Sequence, residues 1–99
     1  MAKLDKKLFW WIFGVTKGGP IRARIIELLK ERPYNANQLA HKLHMDYTTI
    51  RYHLDILVKH GIVESSEETY VVFYYLSEEM EQAYPDFEEI NKKIGRDEG

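Results

Sequence analysis

Between Asp46 and Gly61 the chain alternates two kinds of side chain with helical spacing. At about 100° per residue, Ile50, Leu54, Leu57 and Val58 gather on one side, while Thr48, Thr49, Tyr52, Asp55 and Lys59 point away and Arg51 lies at the margin. The outward groups are those that read a nucleic-acid duplex. Threonine and tyrosine hydroxyls donate to and accept from base edges or phosphates, and a threonine methyl meets the thymine methyl. Arginine bridges guanine O6 and N7 or holds a phosphate. A helix of this kind fits the major groove, and its N-terminal residues reach deepest, which singles out Tyr47, Thr48, Thr49, Arg51 and Tyr52. Lys59, Asn37 and His44 complete the expected contact set, His44 as a phosphate donor in the turn before the helix.

Other chemistries find less support. His41, His44, His53 and His60 invite a zinc or nickel reading, with His41 and His44 one helical turn apart. A metal site needs three or four convergent ligands with their own supporting hydrogen bonds, and His53 falls near the edge of the apolar stripe, where a packed histidine is commoner. No metal and no cofactor are expected. The chain has no cysteine, so it forms neither a disulfide nor a thiolate site. No glycine-rich phosphate loop, nucleophile elbow or paired-carboxylate arrangement can be picked out, so no enzyme is expected. Gly18-Gly19 precedes a helix, which suits an anion, but two glycines before Pro20 are more simply a turn.

The elements that must position the outward face follow from stripes and breakers. Leu4, Leu8, Trp11, Ile12 and Val15 recur at helical spacing and predict an N-terminal aromatic helix over 1–16, ended by Gly18-Gly19-Pro20. Pro20 opens a second helix with the stripe Ile21, Ile25, Leu28 and Leu29, which Pro33 stops. Tyr34 fits a strand of one or two residues. Asn35 caps a third helix with Ala36, Leu39, Ala40 and Leu43 inward. After the short connection His44-Met45-Asp46, Asp46 caps the fourth helix and Gly61 ends it. Two helices joined so tightly make a helix-turn-helix. Ile62-Val63 and Tyr70 to Leu76 then read as an antiparallel hairpin around the polar stretch Glu64 to Thr69. Ser77 caps a closing helix, broken or restarted at Pro85, with Phe87, Ile90 and Ile94 as its stripe. The fold class is therefore mainly α with a small antiparallel β-hairpin wing: a winged helix-turn-helix with a three-helix core plus N- and C-terminal helices. One domain is expected over 1–99, with the winged core over 20–76 and the C-terminal helix over 77–95.

The net charge of −2 over 99 residues conceals an uneven distribution. Residues 17–62 carry eight lysines and arginines, Arg22 and Arg24 among them, against four carboxylates, whereas residues 63–99 carry eleven carboxylates against three cations. A basic middle between unlike flanks makes a local phosphate-binding surface.

Asn37-Gln38-Leu39-Ala40-His41-Lys42-Leu43, then Tyr47-Thr48-Thr49-Ile50-Arg51-Tyr52-His53-Leu54-Asp55-Ile56-Leu57 and Gly61-Ile62-Val63, resemble the ArsR-like winged-helix regulators, particularly archaeal ones. The resemblance covers roughly residues 18 to 77 by element pattern. It implies that Thr49-Ile50-Arg51-Tyr52-His53-Leu54 begins the recognition helix, that the hairpin is the wing and that the terminal helices make a dimer. Two features depart from it. Without cysteine the chain is no thiolate metal sensor, so an effector is unknown. Where such wings commonly present arginine or lysine, the tip here reads Ser65-Ser66-Glu67-Glu68-Thr69, whose carboxylates repel phosphate.

Partners follow from these readings. Within Leu8 to Val15, the strongly apolar run Leu8 to Phe13 is far short of the roughly 20 residues of a membrane span. With no cleavage pattern after it, the expectation is a cytoplasmic protein. The run would serve a membrane interface, an aromatic ligand or a subunit contact; the last is favoured, because Phe87, Ile90 and Ile94 offer a second stripe needing cover. Leu4, Leu8, Trp11, Ile12, Val15, Phe87, Ile90 and Ile94 are thus the expected homodimer interface, the alternative being that both stripes cap the core within one subunit. The functional expectation is a sequence-specific regulator of transcription that binds double-stranded DNA as a homodimer. The other reading is a winged-helix protein–protein adaptor, docking through its acidic wing and tail without binding DNA.

Overall fold

The computed structural model describes residues 4–66 and 70–95. Capping residues set most of its element boundaries. Asp5 accepts from the Leu8 amide and starts α1 (Lys6–Phe9), which runs directly into a π-helical turn, Trp10–Val15. α2 (Gly19–Glu31) has Pro20 in its first turn, where a missing N–H costs nothing. Asn35 and Gln38 exchange backbone and side-chain hydrogen bonds as a capping box for α3 (Ala36–Leu43), and Asp46 caps α4 (Tyr47–Lys59) through the Thr49 amide at 2.7 Å. Gly61, at φ +74°, closes α4 in a conformation that costs glycine little. Ser77 caps α5 (Glu78–Ile94) by accepting from Met80, and its own hydroxyl donates to the Gly61 carbonyl at 2.7 Å. That last bond ties the start of α5 to the end of α4.

The three strands form one antiparallel sheet in the order β1-β3-β2, with β1 (Tyr34–Asn35) and β2 (Val63–Ser65) on either side of β3 (Phe73–Leu76). Tyr34 pairs with Tyr74 and Val63 with Leu76. The short strand at Tyr34 thus anchors the wing to the helices. The wing's second strand is shorter than expected: Tyr70, Val71 and Val72 precede the ladder and are exposed, Tyr70 fully. Glu67, Glu68 and Thr69 of the expected acidic tip lie outside the described residues.

The apolar stripes of α2, α3 and α4 meet in one core, with Ile25, Ile26, Leu39, Ile50, Leu54 and Leu57 fully enclosed. The terminal segments join that core. Phe13 meets Phe87 edge to face at 4.8 Å, and Phe9 and Tyr84 extend the aromatic cluster on either side. Lys6 pairs with Glu89 at 3.1 Å. This corrects the interface expectation for Leu4, Ile12, Phe87 and Ile90, which are buried within the chain, as the intramolecular alternative had it. The two apolar stripes cover each other because the helices that carry them cross in one subunit. Leu8 and Ile94 are half-buried, while Trp11 and Val15 are exposed together with Trp10. A second correction concerns Pro85: α5 runs through it without a break. The lost backbone bond of an interior proline costs about 3 kcal/mol, and the helix is held on both sides of it, by Met80 before and by Phe87 and Ile90 after.

One polar cluster fastens the N-terminal segment to α4. Arg22, counted among the surface cations on sequence, is buried at 3% exposure. Its Nε donates to the Ile12 carbonyl at 2.9 Å, one Nη donates to the Thr16 hydroxyl, and the other meets His53 Nδ1 at 3.1 Å. A guanidinium only donates, so Nδ1 accepts and the neutral ring carries its proton on Nε2. Gly18 makes the meeting possible, because a Cβ there would lie 2.5 Å from both Arg22 Nη1 and His53 Cε1. Among the described residues no helix is long and apolar enough to cross a membrane.

Two outcomes follow. Phe87→Ala should cost about 3–5 kcal/mol in urea denaturation, by the same amount at every protein concentration, because the ring packs within its own chain; a loss that shrinks on concentrating the protein would place the contact between subunits. Burial, and then the Arg22 charge, hold the His53 pKa below its ordinary 6.5. The unfolded chain therefore binds that proton first, so the His53 contribution is whole above 6.5 and declines as pH falls below it. Urea midpoints measured against pH should show the decline, and His53→Gln should flatten it; an unchanged profile would exclude His53 as its source.

Candidate nucleic-acid interface

The turn between α3 and α4 is closed by backbone bonds. His44 adopts the left-handed conformation at φ 56°, its N–H reaches the Ala40 and His41 carbonyls, and the Met45 amide donates to Ala40 at 3.0 Å. A β-branched residue would be strained at that φ, whereas histidine tolerates it better. Two residues later Asp46 starts α4, and hydrogen bonding from Thr49 holds its carboxyl pKa down, which favours the charged cap. The direction of α4 relative to α3 is set by this turn and by Leu39, Ile50 and Leu54 in the core beneath.

The face of α4 turned from the core is open. Tyr47 is 45% and Tyr52 61% exposed, Thr48, Asp55 and Lys59 are exposed beside them, and Thr49 is half-buried. His44 and Asn37 are exposed at the turn and at the start of α3. Arg51 is the exception: half-buried, it leans toward the wing. Its Nη1 donates to the Tyr47 hydroxyl at 3.1 Å, its Nη2 lies 3.8 Å from Asp55, and its guanidinium sits over the Tyr47 ring. Its Nε is buried with no partner. The hydrogen bond from Arg51 to Tyr47 raises the Arg51 pKa further, so its charge is permanent. Arg51, Asn37 and Asp55 share a groove of about 560 Å³ with Ser65, Ser66 and the exposed Val71 and Val72 of the wing. Val58, expected with the inner stripe, is 39% exposed and lines the same groove. It lies beyond the packing of Leu54 and Leu57, where α4 faces the hairpin instead of α2.

The expected contact residues therefore fall into two groups. Thr48, Thr49, Tyr52 and Lys59 lie along the open side of α4 with His44 exposed at the turn before it, and Tyr47, Asn37 and Arg51 line the groove toward the wing. The histidines do not converge: His53 is held by Arg22, and His60 is bonded to the Ile56 carbonyl and set against the Trp11 ring. Among the described residues no three histidine, cysteine, aspartate or glutamate side chains come together as metal ligands. Sequence reasoning missed Arg22 as an organising group. The signal was present, since Arg22 stands three, four and seven residues before Ile25, Ile26 and Leu29, on the buried stripe.

Comparison with known proteins agrees with this geometry. Residues 19–65 match the model of a family described as bacterial regulatory proteins of the arsR family. Among solved structures, a doubly substituted ZitR of Lactococcus lactis superposes with a TM-score of 0.66 at 22% identity, over 76% of this chain and 53% of that one. Wild-type ZitR in complex with DNA gives 0.64 at 20% identity, over 81% and 57%. The transcriptional repressor BigR of Xylella fastidiosa gives 0.61 at 21% identity, over 81% and 77%. The chain thus spans little more than half the length of the ZitR chains it resembles. No curated protein matches it. These identities speak to the fold, which is a winged helix-turn-helix, mainly helical with one three-stranded antiparallel sheet. The archaeal leaning of the sequence resemblance has no support in these comparisons, whose named organisms and family description are bacterial. The matched stretch from Gly19 to Ser65 holds α2, α3, the turn and α4, and it is there that the chain is similar to the arsR regulators.

Proposed function

We propose that this protein regulates transcription by binding double-stranded DNA as a homodimer, with α4 in the major groove. The observation that carries the reading is the open face of α4: Tyr47, Thr48, Tyr52 and Lys59 project from a helix whose other side, Ile50, Leu54 and Leu57, is fully enclosed. A capped, rigidly seated helix with hydroxyls and a cation outward costs little to place against base edges. The ArsR family match and the DNA complexes of the similarly folded ZitR support it. BigR is a repressor, which favours repression as the mode of action.

Arg51 enters by rearrangement. It is held by Tyr47 and Asp55 beside the groove, and exchanging Asp55 at 3.8 Å for guanine or phosphate replaces a weak ion pair with two parallel hydrogen bonds. The winged core over 20–76 reads DNA, and the flanking segments bring two copies together. The surface for that contact is Trp10, Trp11 and Val15, all exposed, with the half-buried Leu8 and Ile94. Two recognition helices then enter successive major grooves about 34–36 Å apart on a palindromic site.

Fluorescence anisotropy against genomic promoter fragments tests the reading head. The combined variant Arg51→Ala/Tyr52→Ala should weaken binding by at least about tenfold, given roughly 1–3 kcal/mol per good base contact. Affinity should also fall with salt, with a log–log slope of about −0.9 for each phosphate neutralised. Undiminished binding by the folded double variant removes α4 as the reader, and a folded wild type that retains no DNA at low salt turns the reading to the adaptor. Light scattering should find a dimer that Val15→Asp shifts toward monomer; a wild-type monomer at working concentration contradicts the proposed contact.

A further inference from the structure

Among the described residues no carboxylate pairs with the buried cation Arg22. Its partners are a carbonyl, a hydroxyl and an imidazole, all neutral, and none of the ion pairs among the described residues includes it. Those partners engage three of its five N–H donors. Neutral dipoles recover only part of the hydration that a buried charge gives up. The charge would be better matched by an anion.

Arg22 also lines an open cleft of about 500 Å³ between the π-helical turn, the start of α2 and α4. The remaining walls are largely apolar, Trp11, Ile21, Ile56 and Tyr52, with His53 and the exposed Lys17 also on the lining. A volume of this size, apolar walls and a few placed polar groups describe a small-molecule site. A phosphate or sulfate would leave the aromatic walls unused, and a neutral hydrocarbon would leave the two cations unused. We propose that this cleft binds a small organic acid, its carboxylate toward Arg22 and Lys17 and its aromatic or aliphatic body against Trp11, Ile21 and Ile56.

The site adjoins the reading face, because Thr49 and Tyr52 of α4 also line it. An occupant that touches Tyr52 in free protein and loses that contact when Tyr52 turns to DNA has different affinities for the two states. Acid and DNA then weaken one another to the same extent. This coupling rests on the DNA-binding reading; the binding of the acid does not.

Calorimetry and tryptophan emission on the full chain without DNA test the site, using phenylacetate, 3-phenylpropionate and hexanoate as probes and 2-phenylethanol and acetate as controls. At least one acid should bind saturably with one site per chain and alter the emission. The neutral alcohol should bind at least about tenfold more weakly than phenylacetate, the cost of forgoing the charge-assisted bonds. Ile21→Trp, at a half-exposed position on the wall, should fill the cleft and abolish binding while leaving circular dichroism and the unfolding midpoint unchanged. Arg22→Lys serves as a second variant and should weaken the acid more than the alcohol. The proposal is overturned if none of the three acids binds below about 10 mM, if acid and alcohol bind alike, or if the folded Ile21→Trp variant binds as the wild type does. Acid binding that persists in a protein that retains no DNA would separate this site from the regulator reading.

Discussion

Arg22 takes a charge out of water, recovers part of that cost from neutral acceptors, and in doing so joins three pieces of chain that would otherwise meet only through apolar contact. Its donors reach the carbonyl of Ile12 in the π-helical turn, the hydroxyl of Thr16 just beyond it and the ring of His53 on α4. Apolar packing is tolerant of sliding, whereas a planar fork with three acceptors admits one arrangement. Leaving a buried donor unsatisfied costs roughly 1–3 kcal/mol, so any shift of the N-terminal segment along α4 is opposed at several points together. Gly18 is the steric condition for the cluster, since a methyl group there would occupy the space where guanidinium and imidazole meet. The orientation of α4 is therefore set from two sides, by the turn at His44 and by this polar clasp.

Much of this architecture was legible in the residues, for local reasons. Asn35, Asp46 and Ser77 are cap residues followed by apolar periodicity, and each caps the helix it announced. Gly61 ends α4, and Tyr34 pairs into the sheet. What the sequence did not disclose depends on tertiary context. A charged residue on an apolar stripe reads as a surface cation until its acceptors are known, and those of Arg22 come from 6, 10 and 31 residues away. Pro85 reads as a break, but the core on both sides of it outweighs one lost bond. The two terminal stripes read as a subunit interface because each needs cover, and periodicity does not say that they cover each other.

The site shows the same division. Which side of α4 faces outward follows from counting Ile50, Leu54 and Leu57, and the structure agrees. The place of Arg51 does not follow from counting, because it is decided by Tyr47 one turn earlier and by the wing's position across the groove. Where a cationic wing would meet phosphate, Tyr70, Val71 and Val72 expose apolar surface. The basic character of the region lies instead on the helices, which is why a net charge of −2 is compatible with a phosphate-facing surface.

The π-helical turn has a consequence of its own. Each of its hydrogen bonds spans one residue more than an α-helical bond, so the segment from Trp10 to Val15 holds a residue that a regular helix would have no place for. Removing one amino acid there and letting the turn relax to ordinary winding, at about 100° per residue, would leave everything upstream nearly where it is, because the wide turn already absorbs the surplus. Phe9 and Leu4 would keep their places in the core. This stretch is therefore where the segment's length can change by one residue without changing which aromatic rings the molecule keeps and which it shows.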